Sequence, residues 1–398
     1  MFTKSGHIKI NLLIKSISGE KMKTIYTIIA VIFALAWPVF ASAQQNKNTI
    51  KFAGYDWSVA ADTAEITWHK GKKSLYIVQG SVWLDNAQFS EGVIEFDVAH
   101  DDKRGFSGVM WHSSGPEKYE EIYFRTHLSG KPDAVQYAPV ENGNSSWQIF
   151  TDEHSVGKVD MKFDDWNHVK IVVKGDSAEL YYNSLKPVLV IPDLKSNNIV
   201  GDIGLRAIVA KPSRKYAYFT NFTHRPLRSG DTLVGKPSSA TLMPNGLIQK
   251  WQVSSNVNKE ELSSTLLPEK VLSGLSWKTL VMETNGIVNL SKLAKKEKVK
   301  NTVLVKVTIH SDVPRVSELK FGYSDKVRLF VNGKLAYSGE ATWRSRDKRF
   351  YGTVGLYDSI GLDLKKGNNE IVAAVSERFG GWAFMGAIED QTGLKIIQ

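Results

Sequence analysis

Residues 119–137 of this 398-residue chain read YEEIYFRTHLSGKPDAVQY, and the strand within this stretch indicates the fold class of the first half. In an extended strand over Glu121–His127, successive side chains point to opposite faces. One face then carries Ile122 and Phe124. The other face carries four polar side chains, those of Glu121, Tyr123, Arg125 and His127. One apolar and one polar face predict a β-sandwich strand whose apolar side faces the core.

The rest of residues 51–226 has the same character, with short alternating strands between turn signals at roughly ten-residue spacing. No segment shows a sustained period of 3.6 residues with helix caps, so helices are expected to be few and short. The expected strands are Lys73–Val78, Gly92–Val98, Gly108–Trp111, Glu121–His127, His168–Val173 and Glu179–Tyr182.

The second half of the chain is again strand-rich. It follows residues 227–246, which are rich in Ser, Gly and Pro without periodicity and are interpreted as a linker. The predicted fold class is therefore all-β, with two β-sandwich (jelly-roll) domains joined by a short linker after an N-terminal signal peptide. The predicted domains are 44–226 and 247–398, and the signal-peptide region is 1–43.

Two hairpins are expected in this second half. Asn332-Gly333 supplies the two positive φ angles of a type I′ turn, which predicts a hairpin between the flanking strands. The other is expected across Lys366-Gly367-Asn368. The strands concerned are Val327–Val331 with Lys334–Tyr337, and Gly361–Leu364 with Asn369–Val375; a buried strand is expected at Asn301–Ile309, and short helices within 260–266 and 290–298.

Residues 22–43, MKTIYTIIAVIFALAWPVFASA, have the three parts of a secretory signal. Lysines precede an apolar run from Ile25 to Phe40, and Ala41-Ser42-Ala43 is a small-x-small cleavage site that would leave Gln44 first. The run contains Pro38 and is short for a membrane-spanning helix, although an uncleaved anchor is the alternative. The sequence predicts an exported protein, periplasmic or extracellular, whose true start is Met22.

Composition and charge exclude several classes of protein. The chain has no cysteine, which removes disulfides, thiolate metal sites, thiol nucleophiles and a lipoprotein anchor. The formal net charge is +10, but residues 1–43 hold five Lys and one Glu, so the mature chain keeps +10 less +4, or +6. Exported proteins meet little nucleic acid, so no nucleic-acid partner is expected. The aromatic content of 11% instead suggests aromatic recognition surfaces.

The polar face of the Glu121–His127 strand suits a shallow groove for hydroxyl-rich ligands. Aromatic rings stack on sugar faces, and guanidinium and amide groups hydrogen-bond hydroxyls. The alternative is a solvated sheet face on which Arg125 pairs with Glu121 and Trp147 plugs an edge. The candidate ligand-binding residues are Tyr123, Arg125, His127, Gln136, Tyr137, Asn142 and Trp147.

Carboxylates on two strands are candidates for catalysis. Glu95 and Asp97 are two residues apart on one strand, roughly 7 Å, beyond the ~5–5.5 Å of a retaining glycosidase pair. A solvated pair of carboxylates is the alternative. Glu120 or Glu121 with His127 would form a second acid–base set.

No cofactor is expected, and the sequence offers no metal site of recognised spacing. The His residues show no H-E-x-x-H pattern. Asp101-Asp102 and Asp164-Asp165 could hold calcium, with turn formation as the alternative. The near-match to a phosphate loop at 230–236 is followed by Pro237 where Ser or Thr should ligate magnesium.

Four further motifs carry a family resemblance in the first half: EGVIEFDV (91–98), SGVMWH (107–112), ENGNSSWQIF (141–150) and DDWNHVKIVV (164–173). With residues 119–137, they make 51–226 similar to the concanavalin A-like lectin/glucanase superfamily. Within it the segment most resembles the 3-keto-disaccharide hydrolase type. The resemblance implies a jelly roll with ligands on a concave face or at its rim. Ala99 and His100 stand where laminarinase-like members carry a third carboxylate, so glucanase chemistry of that type is not implied.

The second half is similar to the galactose-binding-like jelly rolls appended to glycoside hydrolases. The motifs are YSDKVRLFVNGKLAYSG (323–339), RSRDKRFYGTVG (344–355), LDLKKGNNEI (362–371) and FGGWAF (379–384). The resemblance implies loops at one end that bind sugar or calcium. Its candidates here are Arg344, Arg346, Asp347 and Trp382. For Trp382 the alternative is a core position, which its Gly-Gly-Trp setting favours.

These observations favour an exported carbohydrate-recognition protein whose first jelly roll holds the groove and whose second acts as an accessory domain. The alternative is a glycoside hydrolase that cleaves a glycosidic bond or a 3-keto-disaccharide with carboxylates of the first domain. A third hypothesis is a scaffold whose sandwich faces meet protein partners. Carbohydrate is the expected partner, with no stable membrane span after signal cleavage.

Overall fold

The computed structural model describes residues 48–209, 216–237, 243–347 and 350–397, and β-strands make up nearly all of their regular structure. The fold is all-β, as predicted. One short α-helix is described, α1 at Glu269–Ser273, together with brief 3₁₀ turns. None of the described helices is long and apolar enough to cross a membrane. The predicted signal peptide at 1–43 lies outside the described residues.

The first fifteen strands form one large curled antiparallel sheet. They are β1 Thr49–Phe52, β2 Tyr55–His69, β3 Lys72–Phe89, β4 Gly92–Ala99, β5 Gly105–Gly115, β6 Lys118–Arg125, β7 Val135–Tyr137, β8 Val140–Glu141, β9 Asn144–Ser145, β10 Val156–Gly157, β11 Asn167–Lys174, β12 Ser177–Tyr182, β13 Leu189–Ile191, β14 Gly201–Val209 and β15 Tyr218–Arg225. Their order is β10-β7-β6-β5-β14-β3-β15-β4-β11-β12-β13, with β1–β2 and β8–β9 at the side.

The long strand β3 connects the two halves of this sheet, because its 18 residues pair with both β14 and β15. The halves curl over a core that strands from both supply. Trp57, Phe96, Phe124 and Phe219 are all fully buried there. The predicted apolar face of β6 is confirmed, since Ile122 and Phe124 both belong to this core. This curled sandwich is the first sandwich below.

The second sandwich consists of a seven-stranded and a four-stranded sheet. Its strands are β16 Lys250–Ser254, β17 Trp277–Val281, β18 Val288–Asn289, β19 Thr302–Ser311, β20 Arg315–Ser324, β21 Lys326–Val331, β22 Lys334–Glu340, β23 Asp358–Leu364, β24 Gly367–Ser376, β25 Ala383–Ala387 and β26 Leu394–Ile397. One sheet has the order β17-β16-β19-β24-β21-β22 with β26 beside β19, and the other has the order β18-β25-β20-β23. Trp251, Phe321, Trp382 and Phe384 are buried between them.

The hairpin predicted around Asn332-Gly333 is confirmed, with φ angles of 49° and 78° and β21 paired to β22. The second predicted hairpin is wrong. β23 pairs with β20 in the four-stranded sheet, whereas β24 pairs with β19 and β21 in the other. The chain crosses from the four-stranded to the seven-stranded sheet at Lys365. Both strands have the alternation expected of strands that cover a core, but alternation does not specify which strand each one pairs with. Two expected helical segments are 3₁₀ turns, Lys259–Leu262 and Leu290–Lys292.

Residues 142–150 of the first sandwich pack against the second. Ile149 and Phe150 are buried with Ile287, Val354 and Met385. Four hydrogen bonds surround this apolar contact, from Asn142 Nδ2 to Ser291 O (2.8 Å), Gln148 Nε2 to Tyr351 O (2.9 Å), Asn285 Nδ2 to Ile149 O (2.9 Å) and Asn289 Nδ2 to Ser146 Oγ (3.2 Å). Residues 48–398 therefore group as one unit, and the domain boundaries stay a prediction.

Candidate functional site

The predicted polar face of β6 is present, but its side chains are largely shielded from solvent. Glu121, Tyr123 and Arg125 share it, as alternation predicts, but each side chain is almost fully buried. Across the sheet, Tyr123 pairs with Gly108 of β5, and Gly108 pairs with Arg206 of β14. A Cβ on Gly108 would lie 2.9 Å from the Tyr123 Cβ, so a larger residue would crowd the phenol. The absent side chain therefore lets Tyr123 and Arg206 lie on either side of one glycine.

A buried ion pair lies on this face. Arg206 Nη1 donates to Glu121 Oε1 at 2.6 Å and to Oε2 at 2.8 Å, and the carboxylate is fully shielded from solvent. Burial raises the pKa of Glu121, and the Arg206 guanidinium opposes that rise. The same carboxylate raises the pKa of Arg206 against the effect of burial. Sequence reasoning missed Arg206, because 85 residues separate it from Glu121 and no local pattern links them.

Three of the predicted ligand-binding side chains bind one another. Tyr123 Oη donates to Gln136 Oε1 at 2.6 Å, and Arg125 Nη2 donates to Tyr123 Oη at 3.0 Å and also to Gln136 Oε1. Gln136 Nε2 donates to the carbonyls of Trp147 (2.8 Å) and Phe150 (2.5 Å). Gln136 is therefore saturated and holds residues 147–150 against the sheet. Arg125 keeps a further link to Asp133, at 3.2 Å.

His127 is not part of the strand, which corrects the expectation for 121–127. β6 ends at Arg125, and Thr126–Leu128 form a 3₁₀ turn. The half-buried imidazole lies edge-on to Phe106, with ring centroids 5.5 Å apart. Its Nδ1 has no hydrogen-bond partner among the described residues. Burial, then the charges of Arg104 and Arg125, lower the pKa of His127 to about 4, so the ring is neutral near neutral pH.

The second sandwich approaches the first beside His127. The Arg104 Cζ lies 5.6 Å from the Phe106 ring and 5.6 Å from the ring of Trp343, which belongs to the segment after β22. Arg344 Cζ lies 4.1 Å from the same indole. Arg104 and Arg344 are exposed, whereas Phe106, His127 and Trp343 are half-buried. These five side chains, Arg104, Phe106, His127, Trp343 and Arg344, are called the junction surface.

Two further predicted ligand contacts lie where the sandwiches meet. Trp147 is half-buried, with its ring 6.1 Å from that of the exposed Phe379 of the second sandwich. Asn142 donates a hydrogen bond from its side-chain amide to Ser291 O. Trp147 and Phe379 therefore form an aromatic pair between the two sandwiches. The sequence does not reveal this aromatic pair, because its members are more than 200 residues apart.

Glu120 and Tyr137 are inside the first sandwich. Glu120 is fully buried; its Oε2 accepts from Tyr137 Oη at 2.7 Å and its Oε1 from the Ser196 amide at 2.8 Å. Tyr137 Oη in turn accepts from the Lys195 amide at 2.7 Å. Burial, opposed by these hydrogen bonds, raises the pKa of Glu120 to about 7. Neither side chain reaches the polar face of β6, since Glu120 lies on the opposite side of the strand.

Glu95 and Asp97 belong to another surface. β4 is separated from β6 by β5, β14, β3 and β15 in the sheet, so these carboxylates do not join Glu121 or His127. His168 of β11 lies between them, with its Nδ1 2.9 Å from Asp97 and its Nε2 3.5 Å from Glu95. Burial raises the pKa of Asp97, but hydrogen bonds from Lys72, His168 and Asn221 hold it below its usual range. Asp97 is therefore an ionised anchor rather than an acid.

The candidates of the second sandwich divide into core and surface. Trp382 is fully buried and donates from Nε1 to Val375 O at 3.0 Å, which supports the core position. Arg346 is bound to Asp358 and to Tyr323 Oη. Arg344 alone reaches the junction surface. Within the described residues no group of three or more His, Asp or Glu side chains is arranged to hold a metal ion.

The family comparison concerns the first sandwich. Residues 45–207 match the family model of the 3-keto-alpha-glucoside-1,2-lyase-like domain, which confirms the resemblance drawn from the sequence. No curated protein matches the chain.

Similar solved structures include three bacterial proteins. The carbohydrate binding module CBM66 from Bacillus subtilis is 19% identical over 42% of this chain and 94% of its own, with a TM-score of 0.30. The Bacillus licheniformis beta-glucanase is 11% identical over 46% and 84%, with a TM-score of 0.29. A putative glycosyl hydrolase from Parabacteroides distasonis is 14% identical over 43% and 88%, with a TM-score of 0.30.

Proposed function

We propose that this protein recognises carbohydrate at the junction surface. The observation that carries the proposal is the meeting of Phe106 and Trp343 around Arg104, since it brings aromatic rings and guanidinium donors of both sandwiches together. Sugar rings stack on aromatic faces and receive hydrogen bonds from fixed polar groups. The half-buried imidazole of His127 adds a polar ring to the same surface.

The test is binding of an oligosaccharide panel by glycan array, followed by titration calorimetry of the best neutral ligand. Trp343→Ala should weaken that ligand by about tenfold, because a stacked ring contributes around that factor. Trp68→Ala is the matched control, since Trp68 is 74% exposed on β2 and outside the junction surface. If no glycan binds the wild-type protein, or if both variants bind alike, the proposal is wrong.

A second candidate function is cleavage of a 3-keto-glycoside, and the family match of residues 45–207 favours it. A carbonyl at C3 of a sugar acidifies the hydrogen at C2. A base can take that proton while the C1–O bond breaks, which forms a C1=C2 double bond and releases the aglycone oxygen to be protonated. Neutral His127 would act as the base, and the exposed guanidinium of Arg104 would stabilise the developing enolate.

This chemistry predicts turnover of a methyl 3-keto-α-glucoside, followed by the ultraviolet absorbance of the unsaturated ketone. His127→Gln should lower kcat by at least about a hundredfold, as expected for a general base, while the ligand still binds. His168→Gln is the control, because that imidazole lies on another surface with Asp97. The candidate fails if wild-type protein shows no turnover, or if His127→Gln is fully active.

Export is proposed on the sequence of residues 22–43 alone. Expression in a bacterial host with its own amino terminus should deliver mature protein outside the cytoplasm. Amino-terminal sequencing should then begin at Gln44. Recovery of the intact leader on cytoplasmic protein would contradict this proposal.

A further inference from the structure

We propose that the junction surface selects anionic saccharides and holds a ligand carboxylate or sulfate between Arg104 and Arg344. The inference rests on the proposed carbohydrate recognition and adds the charge of the ligand to it. Arg104 comes from the first sandwich and Arg344 from the second, and both guanidinium groups lie against the Trp343 indole. An anion between them would therefore contact both sandwiches at once.

Neither Arg104 nor Arg344 has a carboxylate within ion-pair distance among the described residues. Four other arginines each have one, in the pairs Arg125–Asp133, Arg206–Glu121, Arg225–Asp231 and Arg346–Asp358. The two guanidinium groups that lie against the Trp343 indole, one from each sandwich, therefore have no carboxylate partner among the described residues.

Electrostatics favours an anion at this position. Burial, followed by repulsion from the positive charges of Arg344 and Arg125, lowers the pKa of Arg104. A bound anion would remove that repulsion. Guanidinium groups form paired hydrogen bonds with the two oxygens of a carboxylate or sulfate, and such charge-assisted bonds are stronger than those to a neutral hydroxyl. Phe106 and Trp343 would meanwhile contact the sugar ring, so the ligand class is an acidic saccharide rather than a simple anion.

The test compares each acidic saccharide with its neutralised counterpart on the full mature chain. The carboxylate arm uses oligogalacturonides against their methyl esters, and oligoglucuronates against theirs. The sulfate arm uses sulfated galactan oligosaccharides against desulfated ones. At least one acidic member should bind at least about tenfold more tightly than its partner, and its affinity should fall as salt is added, because exposed charges are screened.

Variants show whether these two arginines are responsible. Arg104→Gln and Arg344→Gln should each lower the affinity for the acidic member by about tenfold more than they lower the affinity for its neutral counterpart. Arg228→Gln is the matched control, because Arg228 is also exposed but lies after β15. Thermal melting of all three verifies that the exposed substitutions leave the fold intact.

The binding results distinguish failure of this inference from failure of the carbohydrate proposal. Equal or tighter binding of the neutral members overturns this inference and leaves the carbohydrate proposal standing. A preference for acid that survives in the Arg104→Gln/Arg344→Gln double variant also overturns it. If no member of either arm binds, this inference is overturned, whereas the carbohydrate proposal fails only if the glycan array also shows no binding.

Discussion

Glu120 and Glu121 are neighbours in sequence, yet their carboxyl groups lie on opposite faces of β6 in different surroundings. Glu120 is turned into the core, where Tyr137 and the Ser196 amide are its partners. Glu121 is on the polar face, where Arg206 holds it. Both are candidates for catalysis from the sequence. A strand's alternation separates them, so one pair of residues supplies a buried acid and a paired carboxylate.

The buried acid predicts a pH dependence of stability. The pKa of Glu120 is about 7 in the folded protein against 4.5 as the ordinary value, so between these the unfolded chain loses its proton while the folded chain keeps it. Stability contributed by this group therefore falls as pH rises through that window and levels off above it. The Glu120→Gln variant cannot ionise. Relative to wild type, its free energy of unfolding in urea should rise by about 3 kcal/mol between pH 4 and pH 8.

Glu318→Gln is the control for that measurement, because Glu318 is an exposed carboxyl on β20. It should show no such trend. A constant difference between Glu120→Gln and wild type across the pH range would contradict the environment described for Glu120.

The buried ion pair predicts a large effect of a single truncation. Arg206→Ala leaves the fully buried Glu121 carboxylate unpaired and should lower the free energy of unfolding by about 3 kcal/mol. The exposed pair Lys326–Glu340, at 2.9 Å, is the comparison, and Lys326→Ala should cost less than about 1 kcal/mol. Denaturant unfolding at neutral pH measures both. Equal costs would mean that solvent reaches the Glu121 carboxylate.

Among the elements of the second sandwich, the β21–β22 turn is specified by local sequence, whereas the pairing of β23 and β24 is not. The β21–β22 hairpin is specified by two adjacent residues, Asn332 and Gly333, because only a few residue types adopt positive φ. The partners of β23 and β24 are not specified locally. Their connection crosses from one sheet to the other, and Asn369 stabilises the crossing through hydrogen bonds to the backbone N–H (3.0 Å) and C=O (2.8 Å) of Lys365.

A substitution at Gly333 tests the assignment of the β21–β22 turn to type I′. Its φ is 78°, and no atom lies within 4 Å of the position that an added methyl group would take, so Gly333→Ala would introduce backbone strain without a clash. The variant should lose about 1 kcal/mol of stability in urea. Gly230→Ala is the control, since Gly230 also has open space around it but no positive φ. If the two alanines cost the same, the turn is not of type I′.

At the level of the whole molecule, we expect the apolar contact of residues 149–150 with the second sandwich to couple the unfolding of the two sandwiches. Ile149 is 1% exposed there, so Ile149→Asp would place a charge without a partner between the sandwiches. Wild-type protein should unfold in a single calorimetric transition, and Ile149→Asp in two. Ile199→Asp is the control, because Ile199 is 76% exposed, and it should behave as wild type. Two transitions in wild type would contradict coupling through this contact.

Most of the fold was predictable because it depends on local patterns. Alternation along β6 identified which side faces the core, and Ile122 and Phe124 are found there. Asn332-Gly333 identified a turn. The site was predictable only in part. The sequence indicated Tyr123, Arg125 and Gln136, but not that they satisfy one another, nor that Tyr137 is buried.

The all-β class, the faces of the strands and the Asn332-Gly333 hairpin follow from local sequence, since each depends on residues a few positions apart. The contacts between polar groups depend instead on how the strands pair and how the sandwiches pack. The tertiary structure pairs Glu121 with Arg206 across two strands, separates Glu95 and Asp97 from both, and brings Arg104 to Trp343 from the other sandwich. Sheet curvature and packing between the sandwiches bring together residues that are far apart along the chain. No periodic pattern in the sequence predicts such contacts.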